Sequence, residues 1–145
     1  MTEPLSPRKA TVRLFYEKMW NKADKSWIPE IFHADFAFRG SLGPVLTGHR
    51  QFAGYVDDVV RALPDFTCDI VEMTEEDDRV VALMRFHGTH RTTLFGHPGT
   101  GRRVEWSGSA HFRFEGGLVR DLWVLGDVHG LLAQLESDGT RSFQS

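Results

Sequence analysis

The stretch Phe86–Leu135, FHGTHRTTLFGHPGTGRRVEWSGSAHFRFEGGLVRDLWVLGDVHGLLAQL, decides the fold. Alternating apolar and polar residues in and just before it predict long strands at about 79–90, 103–115 and 118–125. Two glycine-rich separators, Gly96–Gly101 and Glu115–Gly117, predict turns, because glycine adopts positive φ without steric cost. We therefore expect an antiparallel meander, closed by a short apolar segment at 127–135.

The composition of the chain limits its class. A length of 145 residues predicts one domain, which we place at 1–135 with a polar tail at 136–145. The net charge of −3 argues against nucleic-acid binding, which needs a basic face. Cys68 is the single cysteine, so no intramolecular disulfide can form and a cytoplasmic location is expected. No apolar run approaches the ~18 residues of a membrane span, and no signal peptide is evident at the N-terminus.

The segments before the meander alternate between helix and strand signals. Apolar residues recurring at the helical period predict three helices, at about 7–21, 27–32 and 49–63. Ser6-Pro7 begins the first helix and Pro64 ends the third. The remaining expected elements are strands at Phe36–Phe38 and Phe66–Met73, a loop at Ser41–Gly48 and an acidic turn at Glu75–Asp78.

This order predicts an α+β fold. We expect a curved antiparallel sheet, shaped as a half-cone, with three N-terminal helices packed on its concave face. Such an arrangement encloses a pocket between the two layers. Pockets of this kind favour small, mostly apolar ligands.

A set of short motifs spread along the chain carries a family resemblance. In chain order the motifs are Phe15-Tyr16-Glu17, Trp20-Asn21, Pro64-Asp65-Phe66, Gly88-Thr89-His90, Gly96-x-Pro98-x-Thr100-Gly101, Phe112-Arg113, Trp123, Asp127 and Gly130-Leu131-Leu132-x-Gln134-Leu135. The chain resembles the SnoaL-like polyketide cyclases, whose nuclear-transport-factor-2-like fold is shared with ketosteroid isomerases. The resemblance implies a small cytoplasmic enzyme of secondary metabolism, such as antibiotic biosynthesis. It also implies a homodimer with a polyketide substrate and no metal or organic cofactor.

The chain departs from this family at the positions that carry acid/base chemistry. The best-studied cyclases use an aspartate just after the position of Trp123, where this chain has Val124. Ketosteroid isomerases place a carboxylate near the end of the first strand, where this chain has Arg39-Gly40. Positions that are polar in those cyclases are occupied here by Gly108, Ala110 and Leu122. The sequence therefore does not predict the aldol-type mechanism.

Tyr16 and His90 are the candidate catalytic residues. By resemblance, Tyr16 falls on the helix-1 tyrosine that ketosteroid isomerases use as an oxyanion donor; the alternative is a stripe residue with its hydroxyl at the surface. His90 could exchange a proton near neutral pH, and the alternative is a structural hydrogen bond at a strand end. His87 and His90 are spaced H-x-x-H, but on a strand they point to opposite faces, so we expect no metal site.

The strand predicted at about 103–115 alternates cleanly between apolar and polar residues. Trp106 and its apolar partners should face the pocket, whereas the polar set from Glu105 to Arg113 should face outward, on the face that commonly forms a dimer interface in this fold. Asp121 is expected on that outer face, and Asp127 is expected to cap the closing segment. The loop 96–103 is interpreted as a mobile loop at the pocket mouth, with a lid as one possible role.

The expected pocket walls are apolar and aromatic: Tyr16, Phe38, Tyr55, Trp106, Leu122 and Val124. The same two alternatives apply to Tyr55 as to Tyr16: a hydrogen-bond donor in the pocket, or a residue of the apolar stripe with its hydroxyl at the surface. Together with the resemblance, such walls predict a biosynthetic cyclase that closes a ring by templating an apolar polyketide, through cycloaddition or conjugate addition, with Tyr16 or His90 polarising a carbonyl. Two alternatives stay open. One is a hydroxylase or epoxide hydrolase on the same scaffold, and the other is a non-catalytic binding protein for a hydrophobic metabolite.

Overall fold

The computed structural model describes residues 5–41, 45–94 and 96–136. Its elements are α1 (Pro7–Leu14), a π-helical segment (Phe15–Trp20), a 3-10 turn (Lys25–Trp27), α2 (Ile28–Ile31), β1 (Phe32–Arg39), β2 (Val45–Thr47), α3 (Gly48–Ala62), β3 (Thr67–Glu76), β4 (Arg79–Thr89), β5 (Arg103–Glu115), β6 (Leu118–Gly126) and α4 (Val128–Glu136). The predicted polar tail lies outside the described residues except for Glu136, so the domain boundary at residue 135 stays a prediction.

The six strands form one curved sheet in the order β2-β1-β6-β5-β4-β3. Strands β3 to β6 pair antiparallel with their chain neighbours, which confirms the predicted meander and the α+β class. Strand β1 joins parallel to β6, with Phe38 beside Leu122, and β2 pairs antiparallel with β1. The glycine turns are confirmed, because both Gly116 and Gly117 have positive φ.

The helices cover one face of this sheet through an aromatic core. The ring of Phe15 lies 5.2 Å from that of Phe32 on β1, 5.8 Å from Phe112 on β5 and 6.1 Å from Phe52 on α3. All four side chains are at most 1% exposed. Burial of aromatic rings is the largest single source of core stability in a domain of this kind, so this cluster fixes the helical layer on the sheet.

The sequence predicted one regular helix over about 7–21, but the structure is not α-helical throughout this range. Regular α-helix ends at Leu14, and the segment Phe15–Trp20 is π-helical. The backbone N–H of Asn21 accordingly donates to the carbonyl of Tyr16, five residues back. Phe15, Tyr16, Met19 and Trp20 are the buried residues of this segment. Segments of this kind occur frequently at functional sites.

Three further boundaries differ from the prediction. The strand expected at Phe36–Phe38 begins at Phe32, because β1 has β6 on one side and β2 on the other. The predicted loop Ser41–Gly48 contains the short edge strand β2, although 42–44 lie outside the described residues. The turn expected at Glu75–Asp78 is limited to its last two residues, because β3 extends to Glu76 and Asp77 adopts a positive φ.

The apolar closing segment forms a fourth helix, α4, where three helices had been predicted. Asp127 caps it, as expected, by accepting a hydrogen bond from the backbone N–H of Gly130 at 2.9 Å. The Gln134 side chain binds α4 to β5, accepting from the N–H of Glu105 at 2.8 Å and donating to its carbonyl at 2.7 Å. In the described part of the chain, no helix has the length and apolarity needed to cross a membrane.

Candidate functional site

A cavity lies between the helices and the concave face of the sheet. The space within it and at its open mouth amounts to about 430 Å³. The described residues that line it are Phe15, Tyr16, Trp20, Phe38, Gly40, Ser41, Tyr55, Val59, Phe66, Cys68, Phe86, Trp106, Leu122 and Val124. All six side chains expected as pocket walls are therefore brought together here.

Tyr16 is positioned by the π-helical segment and by a clamp to β3. The side chain of Asn21 donates to the carbonyl of Cys68 at 3.0 Å and accepts from its N–H at 2.7 Å. The ring of Tyr16 packs 4.7 Å from Phe15 and edge-on to Phe112 at 6.1 Å. Tyr16 is 2% exposed, so its hydroxyl is not at the protein surface. The surface alternative for this residue is therefore wrong, whereas its catalytic role stays a prediction.

The ionisable groups of the cavity are held in their neutral forms. Burial raises the pKa of the Tyr16 phenol well above its usual value, and the nearby Cys68 and Tyr55 add to this effect. Burial likewise raises the pKa of Tyr55 and the pKa of the Cys68 thiol. At neutral pH the two phenols are therefore hydrogen-bond donors without charge, and the thiol is not a nucleophilic thiolate.

No described lining residue carries a carboxylate, an imidazole or a cationic group. Val124 lies opposite Ala110 on β5, at the position where the cyclases of the resemblance carry their aspartate. Arg39 stacks its guanidinium 4.8 Å from the exposed ring of Trp123, on the outer face of the sheet. Asp121 also lies there, where it accepts from Arg113 Nε at 2.7 Å, as expected. The described lining can therefore orient a ligand and polarise an oxygen.

His90, by contrast, is not brought to the cavity. Its ring is completely buried, with Nε2 3.1 Å from the carbonyl of His97 and Nδ1 3.1 Å from Thr100 Oγ1. Because a carbonyl can only accept, Nε2 donates to His97, and Nδ1 lies within hydrogen-bond distance of the threonine hydroxyl. Both nitrogens thus serve the loop that follows β4, and His90 is absent from the described lining. The structural hydrogen bond is the role that the geometry supports.

The loop interpreted as a lid belongs to the same network. The backbone N–H groups of Thr100 and Gly101 both donate to the carbonyl of His90, at 3.1 and 2.8 Å. None of its residues lines the cavity in the described structure. His87 lies on the opposite face and contacts Asp69 at 2.9 Å, as the strand geometry predicted. Within the described ranges, no three residues of the metal-binding types His, Cys, Asp and Glu are grouped so as to hold an ion.

Sequence reasoning missed eight of the lining residues for three reasons. Cys68 and Phe86 lie on inward positions of β3 and β4, and Phe66 directly precedes β3, so counting alternation from Trp106 across the sheet could have found them. Phe15, Trp20 and Val59 had been assigned to apolar helix faces without being placed at the pocket. Gly40 and Ser41 carry no sequence signal of their own, because only the folding of β1 beside β6 places them at the cavity.

The comparisons with known proteins agree with this architecture. A family model described as SnoaL-like polyketide cyclase matches residues 10–135. No curated protein is significantly similar to the chain in sequence.

Among solved structures, a proposed SnoaL-like polyketide cyclase from Jannaschia sp. CCS1 is 18% identical, with a TM-score of 0.84 over 94% of this chain and 99% of that chain. AclR, a proposed hydroxylase from Streptomyces galilaeus, is 24% identical, with a TM-score of 0.77 over 94% and 87%. IdmH, a proposed polyketide cyclase from Streptomyces antibioticus, is 24% identical, with a TM-score of 0.77 over 90% and 99%. At these identities the likeness establishes the fold, which hosts more than one chemistry.

Proposed function

The chain belongs to the SnoaL-like polyketide cyclase family, and from this membership we propose that it is a cyclase that closes a ring in a mostly apolar polyketide intermediate. The observation that carries the proposal is a neutral, buried phenol, Tyr16, in a cavity whose described walls are aromatic and aliphatic. A cavity of this kind can fold an unsaturated chain and polarise one of its carbonyls.

The proposed mechanism is templating rather than proton abstraction. Aromatic walls such as Phe38 and Trp106 would hold the reacting carbons at about 3–3.5 Å, which can remove several kcal/mol from the barrier. Tyr16 would donate its O–H to a carbonyl oxygen, so that the conjugated system accepts the new carbon–carbon bond more readily. The step rearranges bonds within one molecule: π bonds are consumed, σ bonds form, and the product has the mass of the substrate.

Three other functions can be compared with the cyclase. An epoxide hydrolase usually needs carboxylates that activate water, and the described lining offers none. A carrier for a hydrophobic metabolite needs the same apolar walls as a templating cyclase and is therefore the serious alternative. A hydroxylase adds oxygen to its substrate and so differs from a cyclase in product mass.

We further propose that the enzyme is a cytoplasmic homodimer joined through the outer face of the sheet. Apolar side chains are exposed on this face, with Leu83 at 43%, Trp123 at 45%, Leu125 at 50% and Val71 at 58%. Leu83 and Leu125 both pair with Ser109 on β5, so they lie in one row across three strands. Large apolar side chains exposed on one face of a sheet support an interface there, with Ser109 lying between Leu83 and Leu125.

Deleting the gene in its host and measuring metabolites by mass spectrometry tests the proposed reaction. We expect a final product to be replaced by an isomer of equal mass with more conjugated unsaturation. Replacement by a compound lighter by one oxygen would instead indicate a hydroxylase. An unchanged profile would contradict the cyclase and favour the carrier.

A further inference from the structure

The indole nitrogen of Trp106 has no hydrogen-bond partner. Among the described residues, Nε1 of Trp106 is the one buried side-chain nitrogen or oxygen that lacks a hydrogen-bond partner. The residue is 4% exposed and lines the cavity. Buried donors are nearly always paired in folded proteins, and an unpaired one at a cavity therefore calls for a functional explanation.

A corner without side chains lies beside this nitrogen. A Cβ placed on Gly126 would stand 3.3 Å from Trp106 Nε1 and 2.7 Å from Ser41 Oγ. Gly126 does not have a positive φ, so its lack of a side chain serves space rather than backbone conformation. A Cβ on Gly40 would similarly stand 3.2 Å from the hydroxyl oxygen of Tyr55. The Trp106 indole nitrogen and the Ser41 hydroxyl thus border the corner at Gly126, and the Tyr55 hydroxyl borders Gly40.

Tyr16 lies near Tyr55 and Cys68. Cys68 shares a cross-strand row with Phe86 and Trp106. The indole N–H of Trp106 is thus a hydrogen-bond donor additional to the two phenols that line the cavity.

We infer that the indole N–H of Trp106, in the corner formed by Gly126 and Ser41, binds a second carbonyl oxygen of the substrate and so fixes its orientation. This rests on the proposed function, in which Tyr16 holds the first carbonyl. An indole N–H can only donate, so the ligand group must be an acceptor. An uncharged oxygen suits it, because a desolvated anion would need a cation that the described lining lacks. The nitrogen is buried in this conformation, so binding requires the groups around the corner to shift. The substrate class is thus an unsaturated chain with at least two carbonyls.

Two isosteric probes, acetophenone and α-methylstyrene, test the donor without the natural substrate. They differ by a carbonyl oxygen in place of a methylene group. In a ¹⁵N-labelled sample the four tryptophans give separate indole N–H signals, and Trp106→Phe identifies the relevant one. We expect acetophenone to move this proton signal downfield and to bind roughly three- to tenfold more tightly than α-methylstyrene, the factor expected of one neutral hydrogen bond.

A matched pair of glycine variants keeps the test independent of the loss of the indole. Gly126→Ala should abolish both the downfield shift and the preference, because its methyl group fills the corner. Gly54→Ala should retain both, because nothing stands within 4 Å of a Cβ at that position. Equal binding of the two probes, or no movement of the Trp106 signal up to the solubility limit of acetophenone, would overturn the inference. A preference lost in Tyr16→Phe but kept in Gly126→Ala would overturn it too, while leaving the proposed role of Tyr16 intact.

Discussion

Replacing Asn21 by alanine should destabilise the protein strongly. Asn21 makes two hydrogen bonds to the backbone of Cys68, 47 residues away, and so joins the π-helical segment to β3. Strand β3 is at the edge of the sheet and has no strand on its outer side. The alanine variant leaves one N–H and one carbonyl of that edge without their partner.

The expected magnitude follows from these two groups. Each orphaned buried backbone group costs about 1–3 kcal/mol, with the lower values applying where water can reach it. Cys68 is 2% exposed, but it lies on an edge strand, so we expect values in the lower half of this range. The free energy of unfolding should therefore fall by about 2–4 kcal/mol. That is a large part of the ~5–15 kcal/mol available to a typical domain.

Urea denaturation followed by circular dichroism measures this loss. Lys22→Ala is the control. Lys22 is next to Asn21 in the chain but is exposed, so its removal should change the free energy of unfolding by less than about 0.5 kcal/mol. Asn21→Asp should also be strongly destabilising, because it keeps the acceptor for the Cys68 N–H but places an oxygen against the Cys68 carbonyl. A stability of Asn21→Ala within about 0.5 kcal/mol of the wild type would refute the clamp and the positioning of Tyr16 that depends on it.

Three further predictions concern ionisation, catalysis and assembly. Because burial raises the pKa values of Cys68, Tyr16 and Tyr55 in the folded protein, the unfolded chain loses these protons at lower pH. The free energy of unfolding should therefore fall above about pH 8.5, by up to about 1.4 kcal/mol per pH unit and group; urea denaturation curves that stay unchanged to about pH 10.5 would contradict this. In a turnover assay, Tyr16→Phe should slow cyclisation about tenfold by removing one donor, and Val124→Trp should abolish it by filling the cavity; wild-type rates in both variants would show that the site is misplaced. Leu125→Glu should convert a dimer into a monomer in light scattering, and an unchanged mass would reject this face as the interface.

The parts of the fold that depend on local pattern were predictable from the sequence. Alternation along β5 placed Trp106 inward and Glu105 outward, and the glycine pair at 116–117 fixed the turn into β6. The parallel pairing of β1 with β6 was not predictable in this way. It joins segments about 80 residues apart, and nothing local in Phe32–Arg39 states which strand it will meet. The π-helical segment was also missed, because its buried stripe fits the α-helical period nearly as well.

In the candidate site, too, residues on regular helices and strands could be predicted from the sequence, whereas those that depend on loops and strand ends could not. Side chains on regular elements, such as Tyr55 on α3 and Val124 on β6, could be assigned to the cavity from their periodicity. His90 could not be assigned correctly, because its partners His97 and Thr100 lie in an irregular loop whose path the sequence does not reveal. The corner at Gly126 needed the three-dimensional structure, since it arises where the ends of separate strands meet.

Multiple-turnover conversion by the purified protein tests the proposed cyclase most directly. The substrate would be the intermediate that accumulates when the gene is deleted, supplied in large molar excess over protein. The proposed function predicts that most of this compound becomes a cyclic isomer of unchanged mass, with a loss of conjugated absorbance. Tight binding with no change in the spectrum or in the chromatographic retention of the compound would contradict it and would make the protein a carrier.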